Sequence, residues 1–449
     1  MNARRNVSER RIALWSLYVL IPGLALHNFV MAELWRAGVR GTSLTVVAAW
    51  KDVLLVAALG ALLLAERRIP RPVSWIDRLA VLFGVLIVLY GALPQSWLGG
   101  GATHRGVLYA ARHDLLPVGA YFLGRGLALT QRERAGLCHL VLATAAFVAA
   151  FGLIDVYAVP LSTWRHSGAE GWFRDQLGLR YTGLSGLPEN FVYNAGNGVA
   201  FRRLTSTFLS PLATAYLLVV AAFFIPWRRR WGPPLGLLLF AAILWTHTRA
   251  ALAALVVVLA LRAIVRRRWQ PLVWAAMVAV IGVGFIKEYN HFGPRTHFTK
   301  SELVVQNRIA KQQPQQTNDA TSQNESSVHE HLSSLRQGVD TVAHHPWGYG
   351  LGNAGVTAAR THVPIKAGES TYTELGVEAG VWGALAFVAW SLALLWRAVR
   401  VRPWVGFAFA AVLFLGLQTD IIGVPWIAVV VWAFAGDCVS QGSARARSS

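Results

Sequence analysis

The chain has 449 residues, of which 55% are hydrophobic and 14% are charged, and its formal net charge is +20. A soluble protein would carry about 25% charged residues, whereas the long apolar runs that recur here approach the ~20 residues needed to cross a bilayer. The composition therefore excludes an ordinary soluble protein and predicts a polytopic membrane protein. Because the arginines fall in short loops between apolar runs, we assign the charge to membrane topology and expect no nucleic-acid partner.

The N-terminal segment joins a basic head, Arg4 to Arg11, to a long apolar run. A signal peptide has a shorter apolar core followed by a cleavage site of small residues, so we expect an uncleaved first span with its basic end in the cytoplasm. Cys138 and Cys438 fall near the cytoplasmic ends of expected spans. That position disfavours a disulfide.

Clusters of arginine mark the cytoplasmic side and leave room for two spans between successive clusters. The predicted fold class is an all-α polytopic membrane protein with about twelve transmembrane helices and both termini in the cytoplasm. Nine spans are expected in residues 1–287 and three, followed by a cytoplasmic tail, in residues 372–449. The predicted spans are 12–32, 43–65, 79–97, 105–123, 136–158, 207–226, 232–247, 250–265, 270–287, 373–396, 403–418 and 423–437.

Two long segments between spans are expected on the outer side, at about 160–205 and at 288–371. The second contains KQQPQQTNDATSQNESS, a polar stretch of low complexity that cannot build a core. Apolar residues then recur at spacings of three and four, which predicts an amphipathic helix at about 327–344. Pro346 ends this helix, which we expect to lie along the membrane surface or to cap the bundle.

One hairpin is unusually short, with only 35 residues from 231 to 265. Two spans and a turn need more than about 40 residues, so its turn, WTHTRAA, should lie below the outer membrane surface. A charge such as Arg249 is expensive there and is usually paired or functional. The hairpin at 403–436 is similarly short, and its turn QTDIIG is expected to be recessed too.

Three outward stretches carry residues suited to chemistry: FRRLTSTFLSP with Arg202 and Arg203, THTRAAL with Arg249, and TVAHHPWGYGLGNAG with His344 and His345. The planar fork of arginine donates two hydrogen bonds to a phosphate at once. Histidine suits a general base because it titrates near neutrality. Other interpretations remain open: a basic pair beside the membrane, a snorkelling or ion-paired Arg249, and interfacial histidines that end a helix.

No metal site is predicted. The outward loops show no Asp-x-Asp pair, and the HEH sequence at 329–331 has no third ligand. Two further polar groups interrupt apolar runs, Lys51 with Asp52 and the stretch from Arg112 to Asp114. These are either structural ion pairs or residues that line a site.

Four stretches, RRLTSTFLSPLATAYLL, THTRAALAALVVV, SLRQGVDTVAHHPWGYGLGNAG and YTELGVEAGVWGAL, resemble the O-antigen ligase and polymerase superfamily in the family's order, over about residues 200–390. The resemblance implies a membrane glycosyltransferase of the GT-C type at the outer face of the bacterial cytoplasmic membrane. It implies transfer of a glycan from undecaprenyl diphosphate to an acceptor hydroxyl, without a metal, a cofactor or a nucleotide sugar. By position, His345 matches the family's base, and Arg249 and Arg203 match arginines that contact the diphosphate. Their neighbours His344 and Arg202 are second candidates for these two roles.

The acceptor is left open by these motifs. A growing glycan would make the protein a polymerase, a lipid core would make it a ligase, and a protein serine or threonine would make it an oligosaccharyltransferase. A lipid-linked glycan transporter or flippase is the alternative from another class. Inverted repeats and broken helices are typical of transporters, and the sequence predicts neither.

Overall fold

The structure, a computed structural model, describes residues 2–66, 74–179, 187–188, 190–194, 199–312, 326–366 and 370–445. These residues are mostly helical, as the composition predicts. Most of the polar stretch KQQPQQTNDATSQNESS lies outside the described residues. In chain order the helices are α1 (Asn2–Arg36), α2 (Gly41–Ala48), α3 (Trp50–Glu66), α4 (Trp75–Ala92), α5 (His104–Leu127), α6 (Gln131–Ala158), α7 (Leu161–Arg165), α8 (Pro211–Phe224), α9 (Gly232–Trp245), α10 (Arg249–Arg266), α11 (Gln270–Phe292), α12 (Lys300–Gln312), α13 (Ser326–His344), α14 (Gly355–Thr361), α15 (Thr371–Val401), α16 (Pro403–Leu415) and α17 (Pro425–Arg445).

Six helical segments of the described residues are long and apolar enough to cross a membrane. Helices also occupy the other predicted spans, but α8, α9 and α16 have only 14, 14 and 13 residues. At ~1.5 Å per residue they extend about 20 Å, less than the ~30 Å hydrocarbon core of a bilayer. The count of twelve spans therefore stays a prediction. The six segments are Ser8–Arg36, Gly41–Ala65, Trp75–Ala92, Gln131–Ala158, Gln270–Phe292 and Thr371–Val401.

Local sequence signals explain several helix boundaries. Ser74 caps α4 and exchanges hydrogen bonds with Asp77 in a capping box. Ser210 caps α8, and Pro211 occupies its first turn, where the missing N–H costs nothing. Helix α13 lies where the helix at 327–344 is predicted, and it ends at His344 just before His345 and Pro346.

The chain forms two compact units. Unit 1 comprises residues 1–24, 46–144 and 334–449, and unit 2 comprises residues 25–45 and 145–333.

In unit 1, α4, α5, α15 and α17 pack around buried aromatic rings. The ring of Phe83 lies 5.3 Å from that of Phe387 and 6.0 Å from that of Trp390, measured between centroids. Helices α5 and α17 approach so closely that a Cβ atom on Gly124 would overlap the Ala433 carbonyl. Such close backbone contact through glycine is typical of helix packing inside membranes.

Unit 2 contains α8 to α11 and a small antiparallel sheet in the order β1 (Val192–Asn194), β2 (Val199–Arg202), β3 (Arg295–His297). Phe201 is the partner of Tyr193 on one side and of Arg295 on the other. The presence of this sheet corrects the all-α prediction. Its strands come from the two segments that were expected to be outer loops. Its strands have three or four residues each. That is too short for the alternation of apolar and polar residues that predicts a strand.

Candidate functional site

Arg203 follows β2 and is anchored to the turn between α9 and α10. Its side chain is buried, and its Nε atom donates to the Thr246 carbonyl at 2.8 Å. Its Nη2 atom lies 3.3 Å from both the His247 carbonyl and the Thr248 hydroxyl. These carbonyl and hydroxyl contacts hold the guanidinium of Arg203 in place.

Arg249 is the first residue of α10 and directly follows the turn that holds Arg203. Its side chain is half-buried. Thr248, the N-cap residue, makes no side-chain capping bond, and the N-terminus of a helix attracts anions through its N–H groups and its dipole. The structure thus brings two of the predicted arginines to one turn.

His247 is a residue that the sequence analysis did not select. It lies between the rings of Tyr193 and Tyr289, with centroids 4.4 Å and 4.8 Å away, and has a positive φ of 51°. The backbone carbonyl of His247 also accepts from Arg203, so this residue forms part of the turn that holds the arginine.

Arg202 points elsewhere, since consecutive residues of an extended strand face opposite sides. Its Nη2 atom pairs with Asp155 at 3.3 Å, and its Nη1 atom donates to the Val159 carbonyl at 2.9 Å. Both side chains of the pair are at most 3% exposed. Trp164 also donates to Asp155, at 2.7 Å. The charge of Arg202 is compensated by this ion pair.

Removing Arg202 should therefore destabilise the protein, because it leaves Asp155 buried without its counter-charge. We expect Arg202→Met to lower the free energy of unfolding by about 3 kcal/mol or more, measured by thermal unfolding in detergent. The double variant Arg202→Met with Asp155→Leu should recover most of this loss. A stable double variant without transferase activity would contradict the structural role and favour phosphate binding.

His345 lies in unit 1, at the turn after α13. Its Nε2 atom is 3.0 Å from the Leu98 carbonyl, and its ring stacks on that of Tyr349, with centroids 4.1 Å apart. A carbonyl only accepts hydrogen bonds, so Nε2 carries the proton in this geometry and Nδ1 is the basic nitrogen of the neutral ring. His344 differs: its side chain is 80% exposed and bonds the Asp340 carbonyl of its own helix at 2.8 Å.

The glycines after His345 allow the backbone of this loop to adopt conformations that other residues rarely adopt. Gly348, Gly350, Gly352 and Gly355 all have positive φ values, from 51° to 88°, a region that glycine adopts without steric cost. Asn353 is fully buried and ties the loop together, because its Nδ2 atom donates to the carbonyls of residues 349 and 350 at 3.0 Å and 2.9 Å. A rigid turn and a chemical role, the two alternatives for this stretch, are therefore compatible.

An apolar cavity of about 480 Å³ adjoins His345 in unit 1. Its walls come from α4, from the segment after α4, and from the His-Pro-Trp turn. Its polar groups are the His345 ring and the Tyr90 hydroxyl, which donates to the Trp347 carbonyl at 2.8 Å. The lining suits an acyl or prenyl chain better than a sugar. The lining residues are Leu86, Leu89, Tyr90, Leu93, Trp97, Leu98, His345 and Trp347.

The polar residues that interrupt the apolar runs are partly explained by ion pairs. Arg112 pairs with Asp52 at 2.7 Å, and the Lys51 amine donates to the Ala48 carbonyl at 2.8 Å. His113 contacts two carboxylates, with Nδ1 at 2.8 Å from Asp114 and Nε2 at 2.7 Å from Asp420. Asp420 belongs to the QTDIIG turn, and its pairing with α5 was not predicted.

Comparison with known proteins bears on this set of residues. A family model described as O-antigen ligase matches residues 234–388. The matched range includes Arg249, His344 and His345, whereas Arg202 and Arg203 precede it. No curated protein sequence is significantly similar to the chain. The match over residues 234–388 confirms that the motifs resemble those of the O-antigen ligase and polymerase superfamily.

Proposed function

We propose that the protein transfers or polymerises an undecaprenyl-diphosphate-linked glycan onto an acceptor hydroxyl at the outer face of the bacterial cytoplasmic membrane. The observation that carries the proposal is that the range matched to the O-antigen ligase family contains both Arg249 and His345. The family implies a glycosyltransferase-like membrane enzyme with a lipid-linked glycan and an acceptor as substrates. Twelve spans, cytoplasmic termini, a GT-C-like fold and independence of metals are further parts of the proposal.

On the donor side, Arg203 and Arg249 bind the diphosphate. As the bond between the anomeric carbon and the diphosphate oxygen breaks, that oxygen keeps both electrons and gains negative charge. Fixed positive groups stabilise such developing charge. The carbonyl contacts of Arg203 hold its guanidinium in place before the substrate arrives, and Arg202 is left out because Asp155 compensates it.

On the acceptor side, Nδ1 of His345 takes the proton of the attacking hydroxyl. The hydrogen bond from Nε2 to the Leu98 carbonyl supports this assignment, because it selects the tautomer with a free Nδ1 lone pair. The hydroxyl oxygen forms the new bond to the anomeric carbon, and its proton ends on the imidazole. The apolar cavity beside His345 is the candidate site for the hydrocarbon part of a lipid substrate.

Deletion of the gene in the host and complementation with the wild-type chain test this function. Gels of surface glycan and of undecaprenyl-diphosphate-linked glycan are the measurement. Accumulation of long lipid-linked chains identifies a ligase, and accumulation of single repeat units identifies a polymerase. Loss of glycan from a secreted protein alone identifies an oligosaccharyltransferase. Lipid-linked glycan confined to the inner leaflet indicates a transporter, and unchanged glycan in both fractions overturns the proposal.

A further inference from the structure

Helix α15 is broken where it meets the loop that follows His345. Ala379 and Gly380 have non-helical dihedral angles, with φ of −114° and 65°. The break frees backbone groups, and the loop uses them: Tyr349 N–H donates to the Val377 carbonyl at 2.6 Å, and Val381 N–H donates to the Pro346 carbonyl at 2.9 Å. The sequence predicts no broken helix, whereas α15 is broken in the structure. The loop that packs against this break belongs to the same unit.

The Glu378 side chain, in the same break, is the acidic group that bonds the loop backbone. The residue is 5% exposed. Its Oε1 atom accepts from the Gly352 N–H at 2.9 Å and from the Ala354 N–H at 3.4 Å. A carboxyl oxygen accepts such N–H groups whether or not the group carries a proton, so Glu378 ties two backbone positions of the loop to α15.

The loop in turn sets the orientation of His345. Tyr349, whose backbone N–H is bonded to α15, provides the ring on which His345 stacks. Asn353, between the two residues that Glu378 holds, bonds the Tyr349 carbonyl at 3.0 Å and accepts from the Gly101 N–H at 2.8 Å. Contacts therefore run from Glu378 through the loop to the plane of the histidine ring.

An acidic residue is unusual at this place because other acidic groups lie near it. Asp114 and His113 of α5 interact electrostatically with Glu378, as does Glu374, which also interacts with Asp420. Burying like charges together is expensive unless they are paired or hydrogen-bonded. A leucine would fill this position at a lower cost in free energy. The hydrogen bonds that Glu378 accepts therefore explain an acidic residue here better than packing does.

We propose that Glu378 is a positioning residue for His345, which acts by holding the Gly352–Ala354 backbone against α15. The inference rests on the proposed function, because it takes His345 as the base. A misplacement of about 1 Å at a reacting group costs about 100-fold in rate. Loss of Glu378 should therefore lower kcat and leave the apparent KM for the lipid-linked glycan unchanged.

The test compares Glu378→Ala, Glu378→Gln and His345→Ala in membrane vesicles supplied with lipid-linked glycan extracted from the gene-deleted host. We expect Glu378→Ala to lower kcat by at least about tenfold. Glu378→Gln should recover most of that loss, because its amide oxygen still accepts the two N–H groups. The matched control is Ser391→Ala: Ser391 is buried on the same helix, and its hydroxyl has no hydrogen-bond partner among the described residues.

The outcomes separate the two proposals. Wild-type kcat in Glu378→Ala together with an inactive His345→Ala overturns the positioning role alone. Full activity of His345→Ala overturns the proposed role of the histidine. Equal loss in the alanine and glutamine variants, or a change confined to KM, also contradicts positioning. If Glu378→Ala does not accumulate, Glu378→Asp decides, since a folded aspartate variant with wild-type kcat is incompatible with a geometric requirement.

Discussion

Replacement of His345 by alanine is expected to lower the rate of glycan transfer by at least about 100-fold, the usual contribution of a general base. The variant has no nitrogen to accept the proton of the attacking hydroxyl, whereas binding of the lipid donor does not require the ring. Lipid-linked glycan should therefore accumulate in the host while surface glycan disappears. Gels of both fractions, with the protein quantified in the membrane, provide the measurement.

His344→Ala is the matched control for this experiment. The two histidines are adjacent, but the side chain of His344 is 80% exposed and bonds only its own helix among the described residues. We expect that variant to keep most of its activity. A wild-type rate in His345→Ala, or an equal loss in His344→Ala, would mean that this turn does not supply the base.

Arg249→Ala is expected to abolish transfer by lowering the affinity of the protein for the diphosphate of the lipid donor. The arginine stands at the N-terminus of α10, beside the turn that anchors Arg203, and its loss removes a donor fork that matches phosphate geometry. Arg249→Lys keeps the charge but not the fork, so its activity should be intermediate. Binding of undecaprenyl diphosphate to the purified protein in detergent separates this effect from a defect in the acceptor step.

Arg266→Ala provides the control for Arg249, because Arg266 is an exposed arginine at the other end of the same helix. That variant should bind undecaprenyl diphosphate as the wild type does. The assignment of the diphosphate site to this turn would be refuted by normal lipid affinity and normal transfer in a correctly folded Arg249→Ala protein.

Helix α13 shows which structural features were predictable from the sequence. Its apolar residues recur at spacings of three and four, and Pro346 ends the pattern, so the predicted range 327–344 agrees with Ser326–His344. The three-stranded sheet was missed for the opposite reason. Its strands are short, and β2 pairs with β3 across about a hundred residues, as in Val199 with His297. No local pattern in the sequence predicts the pairing of two strands so far apart in the chain.

The candidate site shows the same division. The sequence identified Arg203, Arg249 and His345 from residue chemistry, spacing and family resemblance. It made Arg203 the match to a diphosphate-binding arginine and Arg202 a second candidate for the same role. The structure gives Arg202 an ion-pair partner 47 residues away, whereas carbonyls anchor Arg203. The contact between Glu378 and the loop could not be predicted, because the sequence does not indicate which backbone groups a glutamate in an apolar helix bonds.

The sequence by itself determined that this is a helical membrane protein, that one amphipathic helix delivers a histidine pair before a proline, and that its motifs are those of O-antigen ligases. Only the tertiary structure decided that Arg202 is paired with Asp155, which nitrogen of His345 is free to accept a proton, and what holds its loop. The physical reason is that hydropathy and helical period depend on near neighbours in the chain. Hydrogen-bond and ion-pair partners depend on residues that meet only when the chain is folded.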